Sequence, residues 1–263
     1  MPALADITPV ILTYNETSNI ARCLAHLRWA KQVVVVDSES EDDTQRVAAA
    51  FSNVKLFTRS FDNHSTQWRF AVEETGISTD WILALDADYV VPLAVTEWIA
   101  QLDAAEVVGV SFPFRYAVFG RVLRSGIYPP VTVLYRRMRA TYVQDGHTQR
   151  VEIEGRVARA PIALIHDDRK PLAQWFRSQG RYAQLEAEKL EVRSSGLKAW
   201  LRTSLPISPL LIGLHCLVLR GGLFEGPSGW LYALQRMVAE GLIVIAYQDR
   251  RLRRRSTDAN LGP

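Results

Sequence analysis

The chain has 263 residues, 48% of them hydrophobic and 22% charged, an ordinary balance for a globular protein with a sizeable core. Its two cysteines, Cys23 and Cys216, lie far apart in segments that read as helical. That excludes a disulfide framework or a thiolate metal cluster and makes a reducing compartment the default. The net charge of +3 is mild but uneven, with five arginines between Asp249 and Arg255 and several more in the 120s to 150s. Such a distribution suits phosphates of a substrate or of lipid headgroups, or a merely solvated tail.

Taken in chain order, Met1 to Glu16 has no basic region followed by an apolar one and reads as a first strand, not a signal peptide. Ile7 to Leu12, Gln32 to Val36 and Trp81 to Leu85 are short apolar runs that each end on polar residues, the pattern of parallel strands buried on both faces. Between them, Asn15 to Trp29, Asp42 to Phe51 and Gln67 to Thr75 read as helices, the first with Thr17, Ser18 and Asn19 as candidate caps. Alternation of this kind predicts right-handed βαβ units. Further on, Val107 to Phe114 and Thr132 to Arg136 are expected strands flanking a long loop from Tyr116 to Pro130. Val151 to Val157 suggests a short hairpin, and Ala163 to Ile165 a last strand.

Leu172 to Leu190 then reads as a long amphipathic helix with Pro171 near its start, where a proline costs little. Trp200 to Phe224 is strongly apolar but is cut by Pro206, Pro209 and Gly213, and Trp230 to Tyr247 is helical again. No uninterrupted apolar stretch reaches the roughly 18 to 20 residues of a bilayer span. These apolar helices with basic flanks suit a membrane interface, packing on a catalytic domain, or a homodimer.

The sharpest chemical signal is Asp86-Ala87-Asp88 after the strand Trp81 to Leu85. Ligands of open α/β sheets bind beyond the carboxyl ends of the strands. Two carboxylates one residue apart there call for a cation, and hard divalent metals bring substrate phosphates with them. Thr13, Tyr14, Asn15 and Glu16 leave the first strand at the same edge, where backbone around Thr13 and the Tyr14 ring suit a flat base. Asp37 ends the second strand, placed to accept from a ribose hydroxyl or a base N–H. Neither G-x-G-x-x-G nor a P-loop is present, which argues against dinucleotide and P-loop chemistry.

The trio Thr13–Glu16, Val34–Thr44 and Leu85–Asp88 resembles the family 2 glycosyltransferases of the GT-A fold over about the first 115 residues. Leu134 to Arg137, Asp145 to Val151 and His166 to Leu172 resemble a bacterial subgroup that includes lipopolysaccharide-core β-1,4-glucosyltransferases. The resemblance implies a Rossmann-like, mostly parallel sheet flanked by helices in residues 1–170, with a donor half (1–115) and an acceptor half (116–170). A C-terminal helical extension would follow in 171–263. It implies a metal-dependent, inverting transfer of a hexose such as glucose from a UDP-sugar to a glycan or lipid-linked glycan.

On this resemblance Thr13, Tyr14, Glu16 and Asp37 match nucleoside-side positions, and Gln67 and Arg69 lie in the donor-side helix before the metal strand. Asp86, Ala87 and Asp88 match the metal and diphosphate motif for Mn²⁺ or Mg²⁺, with Asp88 the direct ligand and His166 approaching the metal. Where relatives carry a His-Glu pair, this chain has Thr148-Gln149. Glutamine takes no proton, so the base is expected at Asp145, with His147 next. The implied partners are a nucleotide-sugar donor, a glycan acceptor and a membrane surface, with no nucleic acid and a homodimer as another use of the apolar helices. The implied location is the inner face of the cytoplasmic membrane. Two other readings are a non-catalytic nucleotide-sugar-binding scaffold and a sugar nucleotidyltransferase, although Thr13 to Asn19 lacks the latter's glycine-rich phosphate loop.

Overall fold

The computed structural model describes residues 4–103, 105–145, 148–193 and 207–260. The chain divides into two compact units, Met1–Val122 with Ile127–Lys170, and Leu123–Gly126 with Pro171–Pro263.

In the first unit, four parallel strands form the donor-side half of the sheet: β1 (Ile7–Thr13), β2 (Val33–Asp37), β3 (Val54–Thr58) and β4 (Trp81–Asp86). Helices α1 (Ile20–Ala25), α2 (Thr44–Ala49) and α3 (His64–Glu73) lie between them in sequence. Every residue of β2 is buried, the mark of a strand covered on both faces. Alternate residues serve opposite layers: Ile11 and Val35 pack with Ile20, Leu24 and Leu27, whereas Val10, Val34 and Val36 pack with Trp68, Ala71 and Val72. Each such side chain contributes about 1.5–3 kcal/mol by leaving water.

After β4 the chain forms β5 (Tyr89–Val90), α4 (Leu93–Ala100), β6 (Gly109–Phe112), β7 (Phe114–Val118) and β8 (Arg121–Val122). Then come β9 (Val131–Arg136), β10 (Ala140–Asp145), β11 (Thr148–Ile153), β12 (Val157–Arg159) and β13 (Leu164–His166). The main sheet has seven strands in the order β12-β6-β9-β4-β1-β2-β3. Only β9 runs antiparallel to its neighbours, β4 and β6. A second sheet has the order β5-β13-β7-β8, and β10 pairs with β11 alone. The chain leaves β1 toward β2 on one side and returns as β4 on the other. This reversal makes the carboxyl ends of β1 and β4 the natural ligand crevice.

Several elements depart from the sequence expectation. β3 and α4 were not expected; β3 is an edge strand of half-buried and exposed residues and so shows no continuous apolar run. The expected strand over 107–114 breaks at Pro113, and the expected loop from Tyr116 to Pro130 contains the end of β7 and all of β8. Val151 and Val157 are not hairpin partners, because β11 pairs with β10 while β12 joins the main sheet beside β6. The first helix is shorter than predicted. Its N-cap is Asn19, whose side chain makes no capping hydrogen bond and is engaged elsewhere.

The second unit contains α5 (Leu172–Arg193), α6 (Ser208–Leu214), a π turn His215–Leu219, a 3-10 turn Gly222–Glu225 and α7 (Gly226–Asn260). Ala183, Ala187 and Ala246 form a small-residue core where α5 meets α7. Gly213 permits close packing of α6 on α7, since a Cβ there would lie 2.4 Å from Met237 Sδ. Glu225 accepts from the backbone N–H of Arg124 and Ser125 and from the Ser125 hydroxyl, holding that short segment in the unit. The basic run is partly answered: Arg250 pairs with Glu188 at 3.0 Å, Arg254 with Glu191 at 2.7 Å and Arg253 with Asp249 at 2.7 Å. Large apolar side chains nonetheless remain outside, among them Leu210, Leu219, Phe224, Trp230 and Ile245. Gly222–Ser256 is long and apolar enough to cross a membrane by length and composition, with 33% of its most apolar window buried. Arg236 and Glu240 interrupt that stretch, so the sequence offers no unbroken apolar run.

Candidate functional site

β1 and β2 end side by side, pairing Thr13 with Asp37. Asp37 is fully buried and accepts four hydrogen bonds: from the Thr13 hydroxyl at 2.8 Å, the Ser40 N–H at 2.8 Å, the Ser40 hydroxyl at 2.6 Å and the Gln45 amide at 2.7 Å. These fill the acceptor capacity of a carboxylate. The sequence suggested an acceptor for ribose or base; in the structure its side chain organises the strand ends. Tyr14, which follows Thr13, is 45% exposed and leaves its ring available. Gln67 is also fully buried and donates to Ser38 Oγ at 3.1 Å and to the Arg59 carbonyl at 3.2 Å. Arg69 lies roughly 200° further around α3 and is exposed, so the structure does not bring it to Gln67's side of the helix.

Asp86 closes β4, opposite Leu12 of β1, and keeps solvent contact, while Ala87 turns into the apolar core. Asp88 is buried and is fixed from the other side by β13, where His166 pairs with Tyr89 and the Asp167 N–H donates to the Asp88 carbonyl at 3.0 Å. This brings His166 Nε2 to 3.0 Å from Asp88 Oδ2. Tyr116, Tyr128 and Tyr89 present their rings edge-on around the imidazole, with centroids 4.8, 5.0 and 5.5 Å away.

Burial alone would raise the Asp88 carboxyl, but the His166 imidazolium and the Lys170 ammonium outweigh it and hold it at about 2. His166 shows the converse: burial works against its charged form, and the carboxylates of Asp88, Asp86 and Asp168 raise its pKa nonetheless. Asp86 is pushed up by its dense surroundings and by the negative charge of Asp88.

A second carboxylate group lies beside this pair. Lys170 Nζ is 2.7 Å from Glu16 Oε1, 3.3 Å from Asp168 Oδ1 and 3.9 Å from Asp88 Oδ2. Fully buried Asn19 holds the group together, donating to Glu16 at 2.8 Å and to Asp168 at 2.9 Å. Its carbonyl oxygen accepts from Arg22 and from the Arg169 N–H, each at 2.9 Å. That engagement explains why Asn19 does not cap α1. Burial raises the Glu16 carboxyl to about 7 despite its lysine partner. Arg169 folds onto Asp167 with two hydrogen bonds of 2.9 and 2.7 Å, beneath the β7–β8 turn. Gly120 is needed in that turn: its φ is +84°, and a Cβ would lie 2.8 Å from the Arg169 guanidinium.

Asn19, Arg22, Asp167 and the three tyrosines were not singled out as functional from the sequence. Only the charged run after the late strand, Asp167 to Lys170, carried a signal for any of them. Asp145 ends β10 with its backbone opposite Thr148, and its side chain and those of Gln149 and all of His147 lie outside the described residues.

Two atoms bear on whether a divalent metal fits here. Asp88 Oδ1 and His166 Nδ1 are buried without a hydrogen-bond partner in the structure. A buried carboxylate oxygen lacking a donor is what a hard cation would satisfy. Among the described residues, however, no three His, Cys, Asp or Glu side chains form a ready metal cluster. Asp86, Asp88 and His166 therefore do not by themselves form a complete ligand set.

The sheet, with its reversal between β1 and β4 and the acidic edge at that point, has the GT-A fold. The chain belongs to glycosyl transferase family 2, whose model matches residues 8–153. It is 26% identical over 248 residues to the lipopolysaccharide core biosynthesis glycosyltransferase LpsC of Rhizobium meliloti (strain 1021), covering 87% of this chain and 86% of that one. It is 37% identical over 86 residues to an uncharacterized glycosyltransferase of Rickettsia felis, a match covering 32% of this chain and only 29% of that protein's length. Among solved structures, S. aureus TarS (residues 1–349) in complex with UDP-GlcNAc is alike in fold, with a TM-score of 0.52 at 14% identity over 94% of this chain and 91% of that one.

Proposed function

We propose that the chain transfers a hexose such as glucose from a UDP-sugar to a glycan or lipid-linked glycan acceptor in lipopolysaccharide or other cell-envelope polysaccharide synthesis. The observation that carries this reading is Asp88: a buried carboxylate at the β1–β4 reversal with one oxygen left without a donor. The relationship to LpsC along most of both chains supports the envelope role.

In this reading Asp88, with Asp86 and His166 beside it, would hold Mn²⁺ or Mg²⁺, which would supply positive charge to the leaving nucleoside diphosphate. Tyr14 offers its ring to the base, while Thr13 and Asp37 keep the strand ends in register beneath the nucleoside. Asp145, or His147, takes the proton of the acceptor hydroxyl. The acceptor oxygen bonds to the anomeric carbon as its bond to the diphosphate breaks, so attack from the opposite face gives a β linkage from an α-linked donor.

The C-terminal unit, with exposed Leu219, Phe224 and Trp230 and the basic end of α7, serves in this reading as a peripheral anchor on an anionic bilayer where such acceptors lie. A panel of nucleotide-sugars, read by released nucleoside diphosphate with Mn²⁺, Mg²⁺ or chelator, tests the transfer. Turnover that needs a divalent metal and disappears in Asp88→Ala is the expected result. Donor binding without hydrolysis or transfer under any condition would instead leave a binding scaffold.

A further inference from the structure

We infer that Lys170 is a second, chain-borne cation of the donor site: it competes with the divalent metal for Asp88 and lends its charge to the donor's diphosphate. This rests on the donor-site reading above and adds to it a role for a residue outside the metal motif.

The geometry carries the inference. Lys170 projects into the first unit with its side chain 12% exposed, and its ammonium lies among three carboxylates, Glu16, Asp168 and Asp88. Two of these hold it closely, at 2.7 and 3.3 Å, while Asp88 stands off at 3.9 Å. Asp168 and Glu16 are themselves tied through Asn19, so they form a fixed seat for the ammonium. Asp88 is the neighbour it shares with another cation. Asp88 Oδ2 faces both Lys170 and His166, and Oδ1 has no partner.

A divalent ion drawn to Asp88 therefore meets a positive charge about one ionic contact away. Repulsion at that range weakens binding of the metal alone. A diphosphate reverses the sign. With its negative charges present, the metal and the ammonium become two cations on one polyanion. A lysine ammonium on a flexible stem can turn from carboxylate to phosphate as a point charge, without the fixed planar fork that an arginine brings. Neighbouring Arg169 does not share this task, because its guanidinium is folded onto Asp167.

The inference predicts effects of opposite sign from one substitution. In Lys170→Met, Mn²⁺ binding to the donor-free protein, read by the EPR signal of free Mn²⁺, should tighten about five- to tenfold. UDP binding in the presence of Mn²⁺, read by calorimetry, should weaken about tenfold or more, with uridine, which has no diphosphate, unaffected. A purely structural role would weaken all three together. Because the substitution leaves Glu16 and Asp168 without their cation, Lys170→Arg and the pair Glu16→Gln with Lys170→Met serve as controls for folding, checked by thermal unfolding. Lys170→Arg should recover UDP binding in part, and the double variant should keep the weak UDP binding at near-normal stability. If wild-type protein binds Mn²⁺ and UDP but Lys170→Met changes both in the same direction or neither, the role of Lys170 is overturned. If wild-type protein binds neither, the donor site itself is overturned.

Discussion

Val34 and Val36 of β2 are sealed between strands and α3, and the polar groups just beyond them, Thr13, Asp37, Ser40 and Gln45, satisfy one another. In the C-terminal unit, Phe224 is 91% exposed and Leu219, Leu210 and Ile245 also face outward, while the buried contacts of α5 with α7 are made by alanines. The first unit uses most of its apolar residues in its own layers, with Leu93, Phe119 and Met138 left outside, and the polar residues around Asp37 pair with one another. The second unit closes only at a thin seam and keeps a broad apolar surface. The difference teaches that apolar content has two uses in this chain. In the first 90 residues it sets the register of a site; after residue 206 it remains available for another surface.

The largest expected effect falls on the most specific part of the first unit. Asp88→Ala should reduce turnover on the order of 10³-fold while leaving secondary structure intact, as judged by donor-panel kinetics and circular dichroism. A folded variant with near wild-type turnover would break the comparison, because the paired strand ends would then serve packing alone.

Next comes Asn19, whose side chain makes four hydrogen bonds, two of them local to Glu16 and Arg22 and two to Asp168 and Arg169 after β13. Asn19→Ala should cost about 2–4 kcal/mol in urea unfolding, because it removes a fully buried amide and leaves four half-buried partners each short of a hydrogen bond. A cost below about 0.5 kcal/mol would show that these groups find other partners.

The pH dependence sharpens the same point. Asp88 is held at about 2 against an ordinary value of 3.8. A depressed carboxyl contributes stability that is present above the unfolded value and is lost as pH falls through the folded one. The unfolding penalty of Asp88→Asn should therefore shrink by about 2 kcal/mol on acidification from about pH 5 to about pH 2. A penalty independent of pH would mean that Asp88 draws no net support from His166 and Lys170. His166 shifts the other way, since its raised pKa stabilises the fold below the unfolded value and that support fades as pH rises through the folded one.

The smallest effect on stability belongs to the second unit. Replacing Leu219 and Phe224 by serine should change unfolding by no more than about 0.5 kcal/mol each. The same pair should lower sedimentation with anionic liposomes at least about tenfold. Full recovery of wild-type protein in the low-salt supernatant would leave that apolar surface to a protein partner.

Much of the donor half was legible because its strands are short apolar runs that stop on polar residues, as Val33–Val36 stops on Asp37. β3 was not legible, because an edge strand alternates only loosely and Lys55 and Thr58 look like loop residues. The acidic edge at Asp86 and Asp88 could be read from one segment. The role of Asn19 could not, since a helix cap and a buried hub use the same residue type and only tertiary contact separates them. Arg69 illustrates the same limit in reverse: it stands two residues from Gln67 in sequence, yet the helix turns it to the outer face.

Glu16 and Lys170 meet across 154 residues of chain, and Asn19 and Asp168 across 149. On the ribosome, β1 to β4 emerge with their acids well before the lysine that answers them, by roughly 5–15 seconds at ordinary elongation rates. During that interval the nascent strand ends carry an excess of negative charge that only solvent ions can screen. The donor edge is thus among the first parts of its unit to be made and the last to be finished.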